Sequence, residues 1–334
     1  MVAVTVAATS VGAVGALAYV SLVRRDARRA YTGGASVASE YDQWDKDGVL
    51  EHFWGVHIHH GHYGASGRDR VPSVEAKERL LNRLIETASL YQAVAGVAKG
   101  RPGGPPPSLL DVGCGIGGSS CYLARSLGKG LATEGVTLSP RQCERAGALA
   151  AAQGLEARCR FRVADALDLP HADASFDVVW SLESGEHMPD KRAFVRELVR
   201  VAKPGGTIVV ATWCHRSTSG DLTPLTKAEA ASLARVYDEW ALPPFCSIDD
   251  YVKLFDATGA VDMDTLVAED WSVQVAKTWP MAIWDGFLGL PWLLARGPSV
   301  FWRTVRDVFA IRHMMRGFRK GYVTYAVIVA KRKG

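Results

Sequence analysis

From Leu109 onward, short runs of β-branched and large apolar residues alternate with longer amphipathic segments, the pattern of strands separated by helices. The predicted strands are Leu109 to Gly113, Leu131 to Leu138, Ala157 to Val163, Phe176 to Ser181 and Gly206 to Trp213. Between them, Pro140 to Gln153 and Asp190 to Ala202 are rich in Ala, Arg, Glu and Leu, which favour helix. Parallel neighbours need crossover connections, so this alternation predicts a parallel sheet covered on both faces, a doubly wound α/β core. Helices at Thr226 to Tyr237 and Ile248 to Thr258 follow, then a strand near Val261 to Glu269, a Trp-rich helical insert and a last strand, Tyr322 to Lys331. Upstream, Ser73 to Ala95 has apolar residues at helical spacing, and the Pro and Gly run from Lys99 to Pro107 ends it. Tyr41 to Gly64 is rich in aromatics and histidines without a clean period, which predicts a packed loop with a short helix. The chain divides into an N-terminal segment (1–30), a cap (41–98), a cofactor-binding core (108–216) and a C-terminal part (217–334).

Composition narrows the partners. A chain of 334 residues, 48% hydrophobic, can bury a full core. The net charge of +4 is interspersed rather than striped, which argues against nucleic acid. In the C-terminal part Arg296, Arg303, Arg306, Arg312, Arg316, Arg319 and Lys320 sit among Trp, Phe and Leu, a mixture that suits either a membrane surface or a solvated helix face. No charge falls between Val2 and Val23, and Arg24, Arg25, Arg28 and Arg29 follow at once. That run is long enough to span a bilayer, and a membrane anchor is its first expectation, an organelle leader the second, a buried helix the third. The six cysteines show no CxxC and read as reduced thiols. His57, His59, His60 and His62 lack a carboxylate or Cys at ligand spacing, so no metal is expected. A homodimer is left open.

The chemistry concentrates at strand ends. Asp111 is followed by Gly113, Cys114, Gly115, Gly117 and Gly118, a turn at the carboxyl edge of a doubly wound sheet, where ligands bind. Glycines there let backbone amides approach a ligand. The carboxylate beside them would repel a pyrophosphate but suits an ammonium group, which favours S-adenosylmethionine over a dinucleotide. At the end of the second strand, where a ribose-binding carboxylate is usual, stand Thr137 and Leu138, with Gln142 one helical turn on. Glu134, one pleat back, is not placed to substitute. Asp165, beside Ala166, is positioned for an adenine amino group or for capping a turn. The fourth strand delivers Ser181, Glu183, Glu186 and His187, of which Ser181 is expected at the cofactor and His187 as a base near neutral pH or as a structural histidine.

Taken together, Trp54 to Gly64 (WGVHIHHGHYG), Leu109 to Ala124, Gly135 to Gln142, Phe176 to Lys191 (FDVVWSLESGEHMPDK), Arg200 to Arg216 and the tail from Asp270 resemble the gamma-tocopherol methyltransferase family of class I S-adenosylmethionine-dependent methyltransferases. The resemblance implies a Rossmann-like sheet of seven strands, the last antiparallel, with an N-terminal helical cap. It implies a lipophilic acceptor, a phenol or quinol head with a prenyl tail, and a plastid membrane location. It also implies catalytic roles for His187, Glu186 and Tyr41, the nearest N-terminal tyrosine to the motif. Substrate contacts are expected from Trp54, His60, Tyr63, Glu183, Trp213, Trp271 and Trp279. Relatives of this group methylate alkaloid nitrogens, so an amine acceptor is the alternative, and a tethered non-catalytic subunit a third. The Trp-rich insert offers apolar bulk either for a prenyl chain or for packing on the sheet.

Overall fold

Adjacent residues of each central strand feed opposite faces of one sheet. Leu110, Val179 and Ile208 pack with Phe194, Leu198 and Phe255 on one side. Their neighbours Leu109, Val178 and Val209 pack with Leu81 and Leu84 on the other, as the two-residue repeat of a strand requires. The computed structural model describes residues 46–218 and 223–334, apart from the side chains at 306, 307, 309 and 310. The expected anchor within 1–30 and the candidate Tyr41 lie outside the described residues.

The strands are β1 (Ser108–Val112), β2 (Ala132–Thr137), β3 (Cys159–Val163), β4 (Phe176–Leu182), β5 (Ala202–His215), β6 (Val267–Asp270) and β7 (Val323–Lys331). They form one sheet in the order β3-β2-β1-β4-β5-β7-β6. β1, β2, β3, β4 and β5 are parallel, and β7 runs antiparallel between β5 and β6. The fold is the expected doubly wound α/β sheet with its last strand reversed. Strand order turns between β1 and β4, and the crevice at their carboxyl ends is where such sheets bind ligands.

The cap supplies α1 (Val49–Trp54), α2 (Ser73–Thr87) and α3 (Leu90–Gly100). α4 (Gly118–Ser126), α5 (Pro140–Ala152) and α6 (Lys191–Val201) connect the parallel strands. Ser139 and Asp190 cap α5 and α6 through their side chains. Beyond β5 come α7 (Lys227–Trp240) and α8 (Ile248–Asp256), opened by capping boxes at Thr226 and Ser247. The insert forms α9 (Ser272–Val275), α10 (Thr278–Leu288), α11 (Leu290–Ala295) and α12 (Pro298–Lys320). Leu233, Trp279, Met314 and Tyr322 join α7, α10 and α12 to the sheet's end in a separate apolar cluster.

Two elements differ from the sequence pattern. The single helix expected over Ser73 to Ala95 breaks at Ser89, which is left-handed (φ 51°). Leu84, Ile85, Leu90 and Val94 all reach the same apolar layer across that break, so tertiary packing overrides a continuous helical period. The strand expected near Val261 to Glu269 is confined to β6, with Val261 making only an isolated bridge to Arg332.

Candidate active site

β1 runs into a glycine turn that the backbone itself shapes. Gly113 has φ 82°, and a Cβ there would lie 2.3 Å from the Ser184 side chain. The amides of Gly113 and Cys114 both donate to the Val136 carbonyl, at 2.9 and 3.0 Å, tying the ends of β1 and β2 together. At Gly115 (φ 52°) a Cβ would meet nothing within 4 Å, because the residue faces an open cleft. This cleft encloses about 1160 Å³, and Asp111, Gly113, Cys114, Gly115, Thr137, Leu138, Gln142, Asp165 and Ala166 all line it. Asp111 is buried and accepts from the Ser120 hydroxyl at 2.6 Å. Burial pushes its carboxyl up to about 7, against the pull of Ser120. Thr137 donates to Gln142 at 2.7 Å. Asp165 accepts the Leu167 amide at 2.9 Å and so caps its own turn while lining the cleft. Glu134 is bonded to His171 instead.

A second cleft, of about 1190 Å³, opens against the first. Leu50, Phe53 and Trp54 of α1, Trp213 of β5, Trp240 of α7, and Trp279, Ala282 and Gly286 of α10 make its walls predominantly apolar. Three of these tryptophans interlock, with ring centroids of Trp213, Trp240 and Trp279 5.5 to 5.7 Å apart, within the range of favourable aromatic pairs. Among the described residues, Ile58, Glu183 and His187 alone line both clefts.

Glu183 sits at that junction with a left-handed backbone (φ 50°), a conformation that costs a non-glycine residue energy and persists only where surroundings enforce it. One carboxylate oxygen accepts the His60 amide at 2.7 Å and the Tyr325 hydroxyl at 2.9 Å, and the other faces His60 Nδ1 at 2.9 Å. Burial alone would raise Glu183, but His60 and His59 outweigh it and hold the carboxyl below its ordinary range. Its neighbour goes the other way. Burial, then the charge of Glu183, push Glu186 up to about 8, although Thr212 donates to it at 2.7 Å. The site therefore holds one ionised and one protonated carboxyl at neutral pH, the separation that marks distinct acid and base roles. His187 departs from the near-neutral pKa expected of it. Burial and then the Lys191 ammonium push it down to about 4, leaving a neutral imidazole. Lys191 is held in place by the carbonyls of Gly185, Glu186 and Met188.

Among the other expected residues, Trp54, Glu186, Trp213 and Trp279 line the second cleft. Four others do not line either cleft. Ser181 lies a layer beneath, 2.6 Å from the Ser184 hydroxyl, and Ser184 takes the place at the surface. His60 is fully buried behind Glu183. Tyr63 is fully buried, its amide bonded to the Gln274 carbonyl. Trp271 belongs to the sheet's apolar layer and donates to Glu269 at 2.7 Å. Ser181 is expected from its strand end, His60 and Tyr63 from the Trp54 to Gly64 string and Trp271 from the Trp-rich insert, and packing turns all four away from the clefts. Ile58, Phe53, Trp240, Thr212 and Tyr325 were not anticipated, and His59 only as one of the His57 to His62 cluster. Ile58 and His59 stand in the Trp54 to Gly64 string, Thr212 in Arg200 to Arg216 and Tyr325 in the tail from Asp270, so their strings were visible although their individual places were not; Phe53 and Trp240 stand in none.

Comparison with known proteins agrees with this geometry. Residues 110–210 match the family model described as a methyltransferase domain. A probable tocopherol O-methyltransferase, chloroplastic, from Oryza sativa subsp. japonica is 42% identical over 89% of this chain and 77% of its own length. A 2-methyl-6-phytyl-1,4-hydroquinone methyltransferase from Synechocystis is 39% identical over 91% and 90%. The chain belongs to the tocopherol methyltransferase family. It is accordingly an S-adenosylmethionine-dependent methyltransferase. A geranyl diphosphate C-methyltransferase from Streptomyces coelicolor A3(2) shares the fold, with a TM-score of 0.64 at 19% identity, covering 91% of this chain and 100% of that one.

Proposed function

We propose that this family member methylates a ring carbon of a prenylated phenol or quinol of the tocopherol pathway, in a plastid and beside a membrane. The observation that carries the reading is the meeting of a glycine-floored cleft, with Asp111 and Asp165 in its lining, and a tryptophan-walled apolar one at Glu183 and His187. The glycine-floored cleft suits S-adenosylmethionine: glycines leave its floor free of side chains, and a cationic amino group would re-ionise the buried Asp111. When bound, that cofactor supplies an electrophilic methyl group. The apolar cleft takes a flat ring and a hydrocarbon tail, whose burial contributes about 25 cal/mol for each Å² removed from water. Plastid placement draws on the chloroplastic rice relative.

Ring attack needs the phenol oxygen to give up its proton, because phenolate pushes charge into the ortho carbon, and an ordinary phenol titrates near 10. Glu183, ionised and clamped by His60 and Tyr325, accepts that proton as the ring carbon bonds to the methyl carbon. Glu186, protonated, donates a hydrogen bond to the developing phenolate, and neutral His187 walls the junction. The ring proton at the methylated carbon then leaves to solvent and the oxygen recovers its own from Glu183; with the methyl–sulfur bond broken, the net products are the methylated phenol, S-adenosylhomocysteine and one proton.

Incubation of the purified chain with methyl-labelled S-adenosylmethionine tests this. A panel of 2-methyl-6-phytyl-1,4-hydroquinone, gamma-tocopherol and alkaloid amines is expected to give label on the ring carbons of the first two. Label only on amine nitrogen would overturn the reading.

A further inference from the structure

α10 is apolar on both of its sides, and the protein covers only one. Ala282 and Gly286, one turn apart, form the wall of the apolar cleft. Trp284 and Leu288, also one turn apart but on the opposite side of the helix, are 56% and 61% exposed, and Phe287 beside them is 65% exposed. Trp284 and Phe287 stack on each other with centroids 6.1 Å apart. Leu294 on α11 is exposed as well, at 59%. From Thr278 to Trp302 the sole charged residues are Asp285 and Arg296, and Arg296 lies 4.5 Å over the Trp292 ring.

A helix apolar all round is ordinarily buried, and a contiguous exposed patch of this kind marks a surface that something else covers. Its chemistry is specific. Large aromatics and leucines with few charges, and an arginine at the edge, are the composition of segments that lie in the boundary of a bilayer. None of the helices among the described residues is long and apolar enough to cross a membrane, so these helices would rest on it. The patch and the cleft are the two sides of a single helix, which sets the cleft one helix thickness from whatever the patch touches. That arrangement fits a substrate whose tail resides in lipid.

We propose that the outer face of α10 and α11, centred on Trp284, Phe287 and Leu288, docks on a lipid bilayer and passes the prenyl tail from it into the cleft between α1, α10 and α12. This rests on the prenylated substrate read above, and the experiment keeps the two apart. The full chain and its W284Q/F287Q/L288Q variant are assayed on two acceptors: a long-tailed quinol in phosphatidylcholine vesicles containing phosphatidylglycerol, and the same quinol head with a short, water-soluble tail. The variant is expected to lose about tenfold or more in kcat/KM on the vesicle substrate and to keep kcat on the soluble one within about twofold. The share of tryptophan emission quenched by brominated lipid is expected to drop when Trp284 is replaced. Equal loss on both acceptors, no loss on either, or unchanged quenching overturns the docking. So does a chain that is dimeric in solution and becomes monomeric in the variant, since a second copy would then cover the face. If neither quinol is methylated by the unsubstituted chain, the substrate reading fails, while the quenching still decides the docking.

Discussion

The two clefts that meet at Glu183 are built by opposite means. The cofactor cleft proposed above is gathered from the turns that follow β1, β2, β3 and β4, with Val56, Ile58 and His59 closing it, and includes glycines whose conformation no other residue adopts cheaply. Side chains make most of the acceptor cleft, drawn from α1, β5, α7, α10 and α12 and predominantly apolar, with Glu183, Glu186 and His187 at its junction with the first. One is a fixed template and the other a reshapeable lining. A fold of this kind keeps its cofactor while its acceptor changes, because hydrophobic walls tolerate substitution of similar volume and a strained turn does not.

The largest effect is expected in the template. Gly113→Val places a side chain against Ser184 at a backbone angle unfavourable to valine, and is expected to weaken S-adenosylmethionine binding by more than about a hundredfold. Calorimetry with unchanged affinity would break the contrast between the clefts. Next comes the junction: Glu183→Gln is expected to lower kcat by roughly a hundredfold while cofactor affinity stays within a few fold. Because Glu186 is held protonated up to about 8, the wild-type kcat is expected to fall as pH rises through that value and a second negative charge appears beside the phenolate. Burial sustains most of that elevation and the Glu183 charge the rest, so in Glu183→Gln the basic limb of the profile moves down in pH. In the lining, Ala282→Phe is expected to raise KM for a prenylated acceptor by about tenfold and leave cofactor affinity unchanged. A matching loss of cofactor affinity would mean the clefts are not separable. Smallest is Thr212→Val, which removes a hydrogen bond that favours the ionised form of Glu186. It is expected to move the basic limb of the pH profile up by less than about one pH unit.

The same contrast explains what could be read from the sequence. The glycine turn and Thr137, Leu138, Gln142 and Asp165 were visible because residues that shape one strand end are contiguous in the chain, and the alternation of strand and helix fixes which ends they are. The acceptor cleft was visible only as a Trp-rich insert, without its geometry. Trp279 lines it while Trp271, eight residues earlier in the numbering, supports the sheet, and nothing local distinguishes the two. The near-neutral pKa expected of His187 failed for a related reason: burial and the approach of Lys191 are tertiary facts. Ser89 breaks its helix without a glycine or proline to announce it.

Glu183 draws its clamp from two distant places, His60 123 residues earlier and Tyr325 142 residues later. Tyr325 arrives on β7, which must slot between β5 and β6. Pairing across such separations is slow compared with forming the βα units around β1 and β2. In time, then, the chain is expected to become a cofactor binder before it becomes a catalyst. On refolding from denaturant, fluorescence-detected cofactor binding should return ahead of methyl transfer, with the lag set by insertion of β7.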